Sequence, residues 1–169
     1  MKHLVLVRHA KSSWKDPETE DHERPLSKRG EHDAPFMAKI FRDKKMDVDL
    51  MVSSTAVRAL ATAREFARKL DIKKGKILRV SELYLADPED IMDYIRNLDD
   101  DYKTVMLFGH NPGFTTVANT LGNEPIDNIP TCGIVSIDFP VHSWKDAEKG
   151  IGIVRFKEFP KMYFKDAED

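Results

Sequence analysis

The feature that most restricts how this chain can fold is an uninterrupted apolar run, Leu4-Val5-Leu6-Val7, that stops at the polar pair Arg8-His9. A strand with one wet face alternates apolar and polar residues; a run without alternation belongs in a sheet covered on both sides. Asp49–Ser53, Ile77–Val80 and Thr104–Phe108 are further short apolar runs ending in polar residues. Each is followed by apolar residues at helical spacing: Phe36, Ile40 and Phe41 after the first, Val57, Leu60, Ala61, Ala67 and Leu70 after the second, Ile91, Met92, Ile95 and Leu98 after the third, and Phe114, Val117, Ala118 and Leu121 after the fourth. Ser27 offers an N-cap for a helix from about Lys28 to Lys44, with Pro35 expected to kink it or shift its start. This β-then-α rhythm predicts a largely parallel sheet with helices on both faces. Gly133–Phe139 and Gly150–Phe159 follow without an intervening helix and predict an antiparallel pair at the sheet edge. The expected fold class is α/β, a three-layer α/β/α sandwich with a mostly parallel mixed sheet. It is expected to form a single domain over residues 1–164, leaving 165–169 as a disordered acidic tail.

The length of 169 residues fits one core, and 41% hydrophobic residues supply it. With 27 Lys and Arg against 29 Asp and Glu, no basic field draws the chain to nucleic acid. A lone cysteine, Cys132, forms no internal disulfide and reads as a small buried hydrophobe. No run approaches the ~20 apolar residues of a membrane span, and the first run is far shorter than the ~7–15 residues of a secretory core. A cytoplasmic setting is expected, with no membrane and no nucleic-acid partner.

In open α/β sheets, ligands bind beyond the carboxyl ends of the strands. Those places hold Arg8-His9, then Ser53-Ser54-Thr55 with Arg58 one turn later, then Ser81-Glu82, then Gly109-His110-Asn111. Each residue alone has an ordinary explanation: a strand-end histidine is commonly structural, and Arg58 alone would be a surface ion-pair residue of little energetic weight. Together, two histidines and two arginines repel unless an anion lies between them. The same arginines would repel a metal, and HExxH spacing is absent. No GxxxxGK[ST] phosphate loop and no GxSxG serine elbow occurs. A metal-free anion site remains, and phosphate is the best match to two arginine forks. The long polar stretch Ala10–Arg24 reads as a functional surface loop in which Trp14 walls the site or pins the loop. Trp144 and the aromatics Phe156, Phe159, Tyr163 and Phe164 read as packing, and His22, His32 and His142 as surface residues.

The segments "LVRHAKSSW", "RPLSKRG", "SSTAVRALATA" and "FGHNPG", in that order over residues 1 to about 122, resemble the histidine phosphatase, or phosphoglycerate mutase-like, superfamily. The short chain and the "RHAKS" form are most similar to the SixA-type phosphohistidine phosphatases. The resemblance implies the phosphoglycerate mutase-like fold. It implies His9 as the nucleophile that becomes phosphorylated, with Arg8, Arg58 and His110 completing the phosphate pocket and no cofactor or metal required. In one branch of the superfamily a glutamate after the third strand protonates the leaving group, and Glu82 matches it; Asp21 and Glu23 are possible substitutes. The aspartate that follows the second histidine in the other branch is replaced here by Asn111. Mutases carry an asparagine where this chain has Lys15, which disfavours a mutase. Ser12 is a candidate phosphate-binding hydroxyl. The implied function is a metal-independent phosphatase acting on phosphohistidine in a protein, with inorganic phosphate as product. The alternatives are a small-molecule phosphomonoesterase and a catalytically dead phosphate- or phosphoprotein-binding module. With His9 neutral and His110 donating, a pH optimum on the acidic side of neutrality is expected.

Overall fold

A computed structural model describes residues 1–165; the expected acidic tail, apart from Lys165, lies outside the described residues. The continuous apolar runs become neighbouring strands. β1 (Lys2–Arg8) and β4 (Thr104–Gly109) pair in parallel, Leu4 with Val105 through Arg8 with Gly109. β2 (Leu50–Ser54) and the short β3 (Leu78–Val80) extend the parallel part on one side. On the other side β5 (Ile134–Phe139) runs antiparallel to β1, and β6 (Ile153–Glu158) runs antiparallel to β5 at the edge. The sheet order is β3-β2-β4-β1-β5-β6. This is the α/β class with a mostly parallel mixed sheet, as the patterning predicts.

Strand pleating sends neighbouring residues to opposite faces, which splits the core in two. Leu4, Leu6, Val105 and Leu107 pack with α3 (Pro88–Arg96) and α4 (Gly113–Leu121). Val5, Val7, Met106 and Phe108 pack with α1 (Lys28–Arg42) and α2 (Val57–Lys69). Both faces are therefore dry, which is why these strands carry no alternation. Pro35 neither kinks α1 apart nor delays its start: the helix runs through it. The carbonyl that loses its partner belongs to Glu31, an exposed residue that water can satisfy. Trp144 is fully buried, with its indole N–H donating to the Tyr102 carbonyl at 2.8 Å, so it is packing as expected.

The loop between β1 and α1 is bound to the helix start rather than free. Lys11 O accepts from Ser27 N at 2.9 Å and from the Ser27 hydroxyl at 3.1 Å, and Ser27 Oγ in turn accepts from Gly30 N. A Cβ on Gly30 would lie 2.1 Å from Lys11 O, so this close approach requires glycine. Gly30→Ala is expected to cost about 1–3 kcal/mol in urea unfolding and to weaken phosphatase turnover through the displaced loop. Unchanged stability would show that the loop yields freely.

Candidate active site

His9 follows β1 directly, and its proton is placed by its surroundings. Nδ1 lies 2.7 Å from the Ala10 carbonyl, which can only accept, so Nδ1 carries the hydrogen. Ala10 N donates to Thr62 Oγ1 at 2.9 Å, and the Thr62 hydroxyl donates to the Arg58 carbonyl at 2.8 Å, tying this turn to α2. Nε2 keeps its lone pair, towards which Arg58 Nε–H points at 3.3 Å. Only 7% of His9 is exposed. Burial lowers its pKa from 6.5 to about 3, opposed by the Ala10 hydrogen bond and aided by the charges of Arg58, Arg8 and Arg24. The ring is neutral at neutral pH and presents its Nε2 lone pair to the pocket.

His110 follows β4, with its ring centroid 5.2 Å from that of His9. Its Nε2 is 2.7 Å from Ser54 Oγ, and that oxygen already accepts from Ala56 N. The arrangement that satisfies both groups has the Ser54 hydroxyl donating to Nε2, which leaves the hydrogen on Nδ1. Nδ1 is buried without a hydrogen-bond partner, a costly state for a donor unless a ligand accepts from it. Burial first, then the charges of His9 and Arg58, push the His110 pKa to about 2. The ring is therefore neutral, with an Nδ1–H available to a ligand without an acidic medium.

Arg8 Nη1 donates to Ile129 O at 3.0 Å, and Asn111 Nδ2 donates to the same carbonyl at 2.9 Å. Asn111 Oδ1 accepts from Thr115 N and its hydroxyl, so Asn111 braces the start of α4. Cys132, at φ +60°, turns its N–H to the Arg8 and His9 carbonyls, both at 3.0 Å. The buried thiol itself is pushed well above its usual pKa by burial, as suits an inert side chain.

The long loop adds Arg24, which sequence reasoning left without a role, and gives Asp21 contacts that sequence reasoning did not foresee. Arg58, 3% exposed, donates through Nη1 to Asp21 O at 2.6 Å and through Nη2 to Asp21 Oδ2 at 3.0 Å. Arg24, also buried, donates to Asp21 Oδ1 from Nε at 3.2 Å and Nη2 at 3.1 Å, and from Nη1 to Ser12 Oγ. Its guanidinium lies 3.5 Å from the ring centre of Trp14, which is 74% exposed and so forms the rim. Tyr84 donates its hydroxyl to Asp21 Oδ2 and sets its ring edge against His110 and His22. His22 is half-buried at this rim, its Nε2 2.8 Å from Thr55 Oγ1, rather than a plain surface residue. Desolvation would raise the Asp21 pKa, but the hydrogen bonds from Tyr84 and Arg58 and the arginine charges outweigh it, holding the carboxyl well below its usual range. Asp21 is thus an ionised acceptor, a poor source of protons.

Arg8, His9, Arg58 and His110 come together, and Ser12 joins them through Arg24. Glu82 makes no hydrogen bond to them among the described residues; it is exposed in a single turn after β3, with Tyr94 on α3 feeling its charge. Tyr84, two residues on, reaches the pocket instead. Arg24 was visible only as the first letter of "RPLSKRG", and Tyr84 only as a residue two places after Glu82. Among the described residues no cluster of three or more His, Cys, Asp or Glu could hold a metal, and no helix is long and apolar enough to cross a membrane.

Residues 4–104 match the family "Histidine phosphatase superfamily (branch 1)". An uncharacterized chloroplastic protein of Arabidopsis thaliana is 31% identical over 152 residues, 85% of this chain and 69% of the relative. An uncharacterized protein of Mycobacterium tuberculosis is 30% identical over 154 residues, 85% of this chain and 93% of the relative. Among solved structures, a SixA from Agrobacterium tumefaciens, a candidate phosphohistidine phosphatase, superposes with a TM-score of 0.79 at 26% identity, covering 94% of this chain and 98% of that one. The protein histidine phosphatase SixA complexed with tungstate shares the fold, with a TM-score of 0.82 at 19% identity over 96% of this chain and 99% of that one. The chain belongs to the histidine phosphatase superfamily, branch 1, and is a phosphatase.

Proposed function

We propose that this phosphatase hydrolyses phosphohistidine on a protein partner, through a phosphoenzyme on His9, within a single domain spanning residues 1–164. The observation that carries the reading is a neutral histidine with a free Nε2 lone pair in a pocket without a poised acid. In the first step His9 Nε2 forms a bond to phosphorus as the N–P bond of the substrate breaks. The departing imidazole, already protonated on its other nitrogen, leaves neutral without a proton from the enzyme. Arg8, Arg58 and the Nδ1–H of His110 meet the charge on the phosphoryl oxygens, a positioning and electrostatic role. Water then attacks phospho-His9, releasing inorganic phosphate and restoring the neutral ring. Ser12 contributes by orienting Arg24. An alkyl ester would need an acid for its alkoxide. Asp21 is held ionised, and Glu82 is exposed with no hydrogen bond to the pocket residues, so this reading does not assign Glu82 the donor role that the resemblance implies.

The test is hydrolysis of phosphohistidine, an aryl phosphate and phosphoserine in the presence of a chelator. Wild type is expected to act on the first two, with phosphoserine slower by ~10²-fold or more, the contribution of a missing general acid. His9→Ala, at equal folding, is expected to lose ~10³-fold or more on all of them. Phosphoserine turned over as fast as phosphohistidine would instead support the small-molecule esterase, and binding without turnover the inactive module.

The pH dependence follows from the two histidines. His9 must be neutral to attack, and a pKa lowered to about 3 keeps it neutral until the medium is strongly acid. His110 donates while neutral. The kcat/KM of the free enzyme, corrected for substrate ionisation, is expected to stay level between about pH 5 and 8. This replaces the acidic optimum expected for a neutral His9 and a donating His110. A limb with its midpoint near the ordinary histidine pKa of 6.5 would overturn it.

A further inference from the structure

Asp21 lays a carboxylate on guanidinium edges that face the reacting histidine. Oδ2 accepts from Arg58 Nη2 at 3.0 Å and from the Tyr84 hydroxyl, while Oδ1 accepts from Arg24 Nε at 3.2 Å and Nη2 at 3.1 Å. Its backbone carbonyl takes Arg58 Nη1 at 2.6 Å. With those edges engaged, the remaining Arg58 Nε–H rests on His9 Nε2 at 3.3 Å, on the lone pair that must reach phosphorus. Asp21 and Arg58 together therefore cover the nucleophile. The two partners differ in freedom: the Arg58 and Arg24 side chains are 3% and 7% exposed, whereas that of Asp21 is 44% exposed at the mouth. An incoming anion can displace the carboxylate into water, and the arginines stay.

We infer that Asp21 is a displaceable internal anion that selects the leaving group. It yields its guanidinium contacts to the phosphoryl oxygens and then faces the group departing from phosphorus. A neutral or cationic leaving group, such as the protonated ring of phosphohistidine, meets a favourable charge there. An ester with a carboxylate or second phosphate beside the scissile bond meets a like charge, which costs more in a partly buried site than in water. The loop around it carries the same sign in exposed Asp16, Glu18, Glu20 and Glu23, with Lys15 opposing. This inference rests on the phosphoryl pocket proposed above and deepens it by naming the charge class of the substrate.

The experiment measures inorganic phosphate binding by calorimetry for wild type, Asp21→Asn and Asp21→Ala. It is paired with kcat/KM for phenyl phosphate and its 3-carboxy derivative. Both substitutions are expected to tighten phosphate binding by about tenfold and to raise the relative rate on the carboxylated ester by a similar factor, the gain shrinking with added salt. Tyr84→Phe, which removes one donor from Asp21 and leaves the pocket charge unchanged, is expected to tighten phosphate by about threefold. Phosphate bound equally or more weakly by folded Asp21 variants would make Asp21 a strut for Arg58 and overturn the inference. If the Asp21 variants do not fold, weaker phosphate binding by Tyr84→Phe overturns it as well. No phosphate binding by wild type would instead bring down the phosphoryl pocket itself, and this inference with it.

Discussion

A single hydrogen bond, from His9 Nδ1 to the carbonyl of the next residue, decides whether this pocket can work. A histidine with its hydrogen on Nε2 would present a donor to phosphorus and could not attack. The Ala10 carbonyl prevents that tautomer, and Ala10 is itself held by Thr62 on α2, which also binds the Arg58 carbonyl. His9, its orienting carbonyl and Arg58 thus share one short chain of contacts across β1 and α2. The sheet's part is to bring the ends of β1, β2 and β4 side by side.

Electrostatics then makes the pocket hungry for an anion. Burial lowers the pKa of His9 most, and the charges of Arg58, Arg8 and Arg24 lower it further. Buried cations are costly unless they are paired and hydrogen-bonded. The Ile129 and Asp21 carbonyls and the Asp21 carboxylate meet part of that demand. His110 Nδ1 finds no partner among the described residues. A tetrahedral phosphoryl group suits what is left, because it offers several acceptor oxygens at once.

Much of the fold could be read from the sequence because its signals were local. Leu4–Val7 and Thr104–Phe108 lacked alternation since helices cover both faces, and the spacing of Ile91, Met92 and Ile95 marked the inner face of α3. The ends were less legible: the last strand begins at Ile153 rather than Gly150, after a turn in which Gly150 has φ +75°. Residues at strand ends were found because topology alone brings strand ends together, which accounts for His9, Arg58 and His110. Arg24 and Tyr84 were assigned no role, and Asp21 only that of a substitute proton donor, because they reach the pocket through a long loop and a single turn, and nothing periodic says where such segments fold back. Glu82 shows the converse. Its place after a strand suggested convergence, but in that turn Leu83 points into the core, Tyr84 over His110, and Glu82 to solvent.

The central claim concerns one nitrogen, so the most direct measurement identifies it. The enzyme would be mixed with substrate, quenched in alkali to preserve the N–P bond, and digested, and the phosphorylated peptide examined by ³¹P NMR to identify the bonded nitrogen. The account predicts a phosphoryl group on Nε2 of His9. Phosphate on Nδ1 of His9, or on another residue, would contradict it.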